Sequence, residues 1–492
     1  MYANKKIFFL VSGFAFILLA CQSLFGNNAN NDNTGFLPPG VEVATISPSA
    51  PAATTTPKPT AVVYPNGSIG DPYSPELGNL GYDVTHYNIK IYLDPAQQFT
   101  LSATVDITAT STQAVLEQVL LDFIGFEIDK LTIDGKSAEY LRSGDKLVID
   151  LPTPLAADQT FEISISYQGK TTRRQSIYVP FVPAIGFLSP DEQSIFIASE
   201  PDGARFWFPN NDHPRDKALF RMEITVPEGL TAISNGLLIE EFSAGDGETT
   251  FIWQHDFPMA TFLATVVVGT YERIETRSPN GILLRDYVFP EMISRAEPGF
   301  SQTGEIIDWM GELFGAYPFE AYGHATVNES QFALETQTIS VMAVTMLSER
   351  VVVHELAHQW FGNWVSIDSW GEIWRSEGFA TYMETAWQYR KDPDGFEQES
   401  KNSITTIESN ANLSPLNALP TPKFFSFESY NKGAAVVFAL QNEIGEEAMY
   451  AGLKDYFVRF GGGTASDSDF LAVLEEASGK SLDAFFAKWL TE

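Results

Sequence analysis

His354-Glu355-Leu356-Ala357-His358, followed after 18 intervening residues by Glu377, is the stretch on which the reading of this chain turns. On a helix, positions i and i+4 share a face, so His354 and His358 can hold one metal ion between them. Glu377 stands in Trp374-Arg375-Ser376-Glu377-Gly378-Phe379-Ala380. That position should fall early on the next helix, whose return brings it against the first. Three protein ligands then leave one coordination position open for water. Two imidazoles and a carboxylate suit Zn²⁺, one per chain. Glu355 is badly placed to ligate but lies beside the open position, which makes it the general base. Glu384 lies two turns beyond Glu377 on the same helix face and is expected to orient a ligand imidazole from behind. The other histidines, His86, His213, His255 and His324, lack ligand spacing and read as structural, with His324 expected nearest the cleft.

Outward from this block, segments 344–362, 373–389, 432–445, 446–460, 467–478 and 481–490 read as helices, with Ser478-Gly479 as a stop. Ile306, Ile307, Met310, Leu313 and Phe314 mark a further helix ending near Pro318, after a strand-like run from Ile282 to Phe289. Towards the N-terminus the period changes to two. Tyr87, Ile89, Ile91 and Leu93 alternate with other residues, as do Phe161, Ile163, Ile165 and Tyr167, and Phe220, Met222, Ile224 and Val226. Turn signals such as Asp134-Gly135 separate the runs. The expected fold class is therefore multidomain β + α/β. An antiparallel β domain over 77–276 precedes a mainly helical domain over 277–492.

The first 76 residues read differently. Lys5 and Lys6 precede an apolar run, Ile7 to Ala20, too short for a membrane span and suited to a signal peptide over 1–20. Leu18-Leu19-Ala20-Cys21 resembles the lipobox of bacterial lipoproteins, which makes Cys21 the lipidation site. Residues 21–76, rich in Asn, Pro and Thr, read as a disordered tether. The expected location is exported and lipid-anchored on the extracytoplasmic face, with the lipid as the only membrane contact. The chain has 492 residues with 44% hydrophobic and 13% aromatic content, enough for large cores, and carries 63 acids against 30 bases. A net charge of −33 excludes a nucleic-acid partner, which needs a basic footprint, and favours cationic ligands such as peptide amino groups.

The block from His354 to Asn363, with Trp374 and Glu377-Gly378-Phe379-Ala380, resembles the aminopeptidase N-like zinc metallopeptidases (peptidase family M1, gluzincins). Glu200-Pro201-Asp202-Gly203-Ala204-Arg205, Thr231 to Leu237, Tyr430-Asn431-Lys432-Gly433 and the ending from Ser478 to Trp489 add to the likeness. The resemblance implies a saddle-shaped β domain followed by a thermolysin-like catalytic domain, in a short form lacking the family's large C-terminal helical domain. It implies that Glu335, in Ala333-Leu334-Glu335-Thr336-Gln337, grips the substrate's free α-ammonium, with Glu200 as second carboxylate of the clamp. It implies that Tyr430 donates to the oxyanion. Phe332 and Leu334 depart from the family's usual Gly and Met, and Ser376 from its Asn, the last with little effect expected. The implied activity is hydrolysis of the N-terminal peptide bond of peptides with a free N-terminus, with no obligate protein partner. A zinc endopeptidase, an epoxide hydrolase and a catalytically silent surface-binding module are the alternatives on the same site.

Overall fold

The computed structural model describes residues 67–329 and 332–491. The signal peptide, Cys21 and the tether up to residue 66 lie outside the described residues. Among the described residues, no helix is long and apolar enough to cross a membrane.

The period-two runs become strands of an eight-stranded sheet. Its order is Leu237–Gly245, Glu248–Ala260, Lys217–Pro227, Tyr82–Leu93, Thr100–Ser111, Thr160–Lys170, Glu127–Ile133, Lys136–Ser137. Tyr87, Ile89, Ile91, Phe161, Ile163, Ile165, Tyr167, Phe220, Met222, Ile224 and Val226 are all buried. Each such side chain removed from water contributes ~1.5–3 kcal/mol before entropy is charged against it. One pairing departs from the antiparallel expectation: Tyr82–Leu93 runs parallel to Lys217–Pro227, with Tyr87 opposite Phe220. Both strands hold their apolar faces on the same core, and the long connection between them permits either direction. Asp134 (φ 48°) and Gly135 (φ 76°) form the tight turn into Lys136–Ser137, the left-handed pair that a two-residue hairpin requires. A four-stranded sheet, Thr231–Ser234, Val266–Gly269, Ile195–Ala198 and Gly186–Leu188, carries the chain towards the second region. Phe262 lies in a single 3₁₀ turn before the Val266–Gly269 strand.

The segment 67–76 is packed rather than tethering, which shortens the expected tether. Asp71 is fully buried and accepts from the Ser369 hydroxyl (2.8 Å) and the Trp370 amide (3.2 Å), while its other contacts include His213 Nε2 at 3.1 Å. One side chain thus joins the N-terminal segment, the β region and the helical region.

The second region opens with a mixed five-stranded sheet in the order Glu272–Arg277, Leu283–Val288, Ala321–Val327, Ser340–Ala343, Ala333–Leu334. Glu272–Arg277 pairs only with Leu283–Val288, so this sheet starts a few residues before position 277. The helices are α1 (Ile293–Phe300), α2 (Thr303–Phe314), α3 (Glu349–Ala357), α4 (Ile373–Gln388), α5 (Pro393–Glu408), α6 (Gly433–Ile444), α7 (Glu446–Phe460), α8 (Asp467–Ser478) and α9 (Asp483–Thr491). Helix α3 is shorter than the expected 344–362. Ser348 caps it by accepting from the Val351 amide, and the chain turns away at Gly362 (φ 116°). Gly479 stops α8 in the left-handed conformation, φ 66°. Helix α4 is buried on almost every side, from Ile373 to Trp387. Such a helix belongs at the centre of a domain, and it is the one that carries Glu377.

Candidate active site

The site is assembled where α3, α4, the edge strand Ala333–Leu334 and the β region meet. His354 and Glu355 occupy the last turn of α3, and His358 follows its end. Glu377 lies in the second turn of α4. Phe361 and Phe379 stack face to face at 4.2 Å and fix the approach of the two segments. His354 Nε2 and His358 Nε2 lie 3.3 and 3.5 Å from the same Glu377 oxygen, Oε2.

The far sides of both rings are held. Glu384 Oε1 lies 2.8 Å from His354 Nδ1, and Arg350 in turn pairs with Glu384 Oε2. Ser376 Oγ donates to the Phe361 carbonyl (2.9 Å) and so is free to accept from His358 Nδ1 at 3.0 Å. With both Nδ1 atoms acting as donors, the two Nε2 lone pairs point at Glu377 Oε2. That buried oxygen accepts no hydrogen bond. One ligand atom from each of the three residues lies within 4.8 Å of the others. Two imidazole nitrogens converging on one carboxylate oxygen fit a small divalent cation, which binds in place of any proton held there.

Four more carboxylates crowd this centre. Oxygens of Glu200, Glu335 and Glu377 also lie within 4.8 Å of one another. Burial, then Glu335 and Glu377, push the Glu200 carboxyl well above the usual range. Burial likewise lifts Glu355 to about 8, against the pull of His354. Burial would raise Glu377 too, but His358 and His354 outweigh it and hold that carboxyl at about 2. Burial opposes charge on His354, yet Glu377 and Glu384 raise it well above the ordinary value. The cluster is short of positive charge.

Glu335 is fixed through its backbone. Its carbonyl accepts from Asn363 Nδ2 (2.7 Å) and Gln359 Nε2 (3.1 Å). Gln359 Oε1 accepts from the Thr338 amide at 2.9 Å, and Thr338 holds φ at 70°, a conformation that β-branched residues rarely adopt. Tyr430 lies in a π-helical turn, Glu428–Lys432, with its ring parallel to His354 at 5.8 Å. Gly433, next along, touches α4: a Cβ on Gly378 would stand 2.6 Å from the Gly433 carbonyl carbon, and one on Gly433 would stand 2.9 Å from Gly378 Cα.

The eight candidates His354, Glu355, His358, Glu377, Glu384, Glu335, Glu200 and Tyr430 line one cavity of about 530 Å³. His324 does not. It is fully buried, stacked on Phe300 at 4.1 Å and 2.7 Å from Asp286. Nor does His255, which is bonded to Gln337 at 2.7 Å. Sequence reasoning passed over Gln359, Asn363, Thr338 and Arg350 and expected little of Ser376, which orients His358. A signal existed for two of them: Gln359 and Asn363 are amides set among Trp and Phe after a metal-type pentad, and buried amides need partners.

The Peptidase M1 N-terminal domain profile matches residues 83–263, and the Peptidase family M1 domain profile matches residues 310–489. The chain belongs to peptidase family M1. Among M1 structures, the "M1 zinc metallopeptidase" of Deinococcus radiodurans superposes with a TM-score of 0.78 at 28% identity, covering 86% of this chain and 97% of the other. A "two domain M1 zinc metallopeptidase" bound to L-arginine gives a TM-score of 0.80 at 28% identity, with 86% and 98% covered. A "Probable aminopeptidase 1" of Sulfurisphaera tokodaii is 27% identical over 415 residues, 76% of this chain and 49% of the relative. The human "Glutamyl aminopeptidase" is 30% identical over 312 residues, 57% and 32% respectively. The chain spans about half the length, or less, of the curated M1 relatives it matches.

Proposed function

We propose that this chain is a zinc-dependent aminopeptidase that hydrolyses the N-terminal peptide bond of peptides. The observation that carries the reading is the shared cavity: converging His354, His358 and Glu377 acceptors next to two buried carboxylates, Glu200 and Glu335, that lack a cation. His354, His358 and Glu377 would hold Zn²⁺, which when bound polarises a carbonyl and acidifies water. Glu384 and Ser376 keep the two imidazoles turned towards it.

Glu355 takes the proton of the attacking water and returns it to the leaving amine; a buried carboxyl lifted towards neutrality is suited to both transfers. Tyr430 donates its phenolic proton to the developing oxyanion, a contact whose loss typically lowers kcat ~10²–10³-fold. Glu200 and Glu335 pair with the substrate's α-ammonium. Burying an ammonium without such partners is prohibitive. Because their oxygens lie beside Glu377, the captured amine sits next to the reacting carbonyl, and one residue is released at a time. We further propose, from Lys5 to Cys21, that the enzyme is exported and lipid-anchored outside the cytoplasm.

The test compares peptides with free and acetylated N-termini. The zinc-loaded chain should cleave the former and refuse the latter, and Glu335→Gln should lower kcat/KM for free-amine peptides on the order of 10²-fold without changing zinc content. Equal cleavage of both peptides would replace the aminopeptidase reading by an endopeptidase one.

A further inference from the structure

The cavity that holds the carboxylates is also lined by cations. Among the described residues, two Arg or Lys side chains line it, Arg173 and Arg350. Arg350 is engaged by Glu384. Arg173 is exposed and has no carboxylate partner among the described residues. Its neighbour Arg174 grips Asp145 with two nitrogens, at 2.6 and 3.2 Å. In a chain of 63 acids and 30 bases, a guanidinium left over at a cleft full of carboxylates is notable for what it does not bind.

Its position is set by the sheet beneath it. Thr100 pairs with Lys170 at the end of two adjacent strands, and the Thr171 amide donates to the Phe99 carbonyl at 2.8 Å. Phe99 and Arg173 therefore stand side by side, with the guanidinium 4.5 Å from the centre of the Phe99 ring. The ring supports one face of the cation and leaves its N–H edges open to a planar anion. The lining shared by Arg173 and Glu335 is largely apolar, with Val179, Phe181, Val182 and Phe332 among its residues. The cavity joins a cluster of buried carboxylates to a largely apolar lining, and its exposed lining residues include one acid, Glu329, as well as the cation Arg173. A short zwitterionic peptide carries the complementary charges.

We infer that Arg173 is a carboxylate-binding subsite at the cleft mouth, and that the enzyme acts on short peptides whose free C-terminal carboxylate reaches it. The inference rests on the aminopeptidase reading above. About 530 Å³ is the size of a small-ligand site, which a peptide of a few residues fills. The same guanidinium chemistry would accept an acidic side chain of a longer peptide, and the experiment separates the two sources.

KM is measured on the zinc-loaded full chain for one tripeptide as the free acid, as the C-terminal amide, and as the amide carrying Glu at its third position. For an exposed ion pair the plain amide should raise KM about five-fold, and added salt should shrink that ratio. Arg173→Gln should bring the ratio close to one, Arg173→Lys should restore part of it, and Arg174→Gln, which removes the same charge one residue away, should keep it. A wild-type ratio of one, or a ratio that survives Arg173→Gln, overturns the subsite. Full recovery of KM by the Glu-bearing amide overturns the C-terminal assignment in favour of side-chain recognition. An aminoacyl anilide has no carboxylate, so its hydrolysis by the wild-type chain tests the aminopeptidase reading separately. Should turnover be absent, calorimetric binding of acid and amide to the same proteins reads the same ratio.

Discussion

Two groups of buried carboxylates divide this molecule, and they are balanced in different ways. In the β region, Asp122 accepts from the Gly78 and Asp212 amides and from Asn79, and pairs with Lys146. Asp202 pairs with Arg205. Burial pushes Asp212 up to about 7 and Asp216 to about 8, so these two keep protons over much of the neutral range. His213 and several donors hold Asp71 far below the carboxylate range despite its burial. Here the chain meets buried charge with its own cations and donors, or with a retained proton. At the meeting of the two regions, Glu200, Glu335, Glu355 and Glu377 form no ion pair with Lys or Arg among the described residues, whereas Glu384 pairs with Arg350. Buried charge neutralised from within holds a fold together, whereas buried charge left short of cations awaits ligands.

That contrast can be broken most sharply at Glu355. Glu355→Gln should keep one zinc per chain while turnover falls ~10²–10⁴-fold, the usual worth of a general base; metal analysis and steady-state kinetics check both halves. Its effect on stability should be the reverse of its effect on rate. The folded chain raises this carboxyl above its unfolded value, so the ionised form weighs against folding as pH rises past the unfolded pKa. Metal-free Glu355→Gln should therefore melt no lower than metal-free wild type at pH 7.

The β region should behave oppositely. Lys146→Met leaves Asp122, fully buried, without its cation. Stability should fall by roughly 3–5 kcal/mol, seen in denaturant melts, with kcat and zinc content unaltered. An unaltered melt would remove the distinction between the two groups.

The smallest expected effect concerns pH. The folded chain raises Asp216 from 3.8 to about 8, so between those values the native state binds more protons than the unfolded one. The stability associated with Asp216 is then greatest at low pH and declines as pH rises from about 4 to 8. Asp216→Asn cannot ionise, so its melting temperature should gain on the wild type's as pH rises from 5 to 8, by roughly 2–4 °C for each kcal/mol the wild type loses. A constant gap in melting temperature across that range would contradict the assignment.

Much of this arrangement was legible in the sequence, for local reasons. Alternation at Phe161 to Tyr167 and Phe220 to Val226 announces strands, because a strand's period is fixed by its backbone. It does not announce partners, and the parallel pairing of Tyr82–Leu93 with Lys217–Pro227 depends on a contact distant in sequence. Helix α5 escaped notice because only Ser400 and Ile407 are buried along it, leaving no apolar stripe to read. Ala333–Leu334 and Ser340–Ala343 are too short to show a period. The metal-type triad was readable from spacing alone, since two of its members share a helix. The neighbourhood of Glu200 and Glu335 was available only through family resemblance, because no spacing rule joins side chains contributed by two regions. Thr338 carries no local mark of its left-handed backbone; Gln359 and Gly236, bonded to it across the fold, impose it.

The bare contact between Gly378 and Gly433 acts as a gauge. On one side of it, one residue away, stands Glu377; on the other, three residues away, stands Tyr430. The approach of the two reacting arms thus depends on the absence of two methyl groups, and an alanine at either place would push the segments that carry them apart. The spacing of the reacting groups is in this sense written into the main chain.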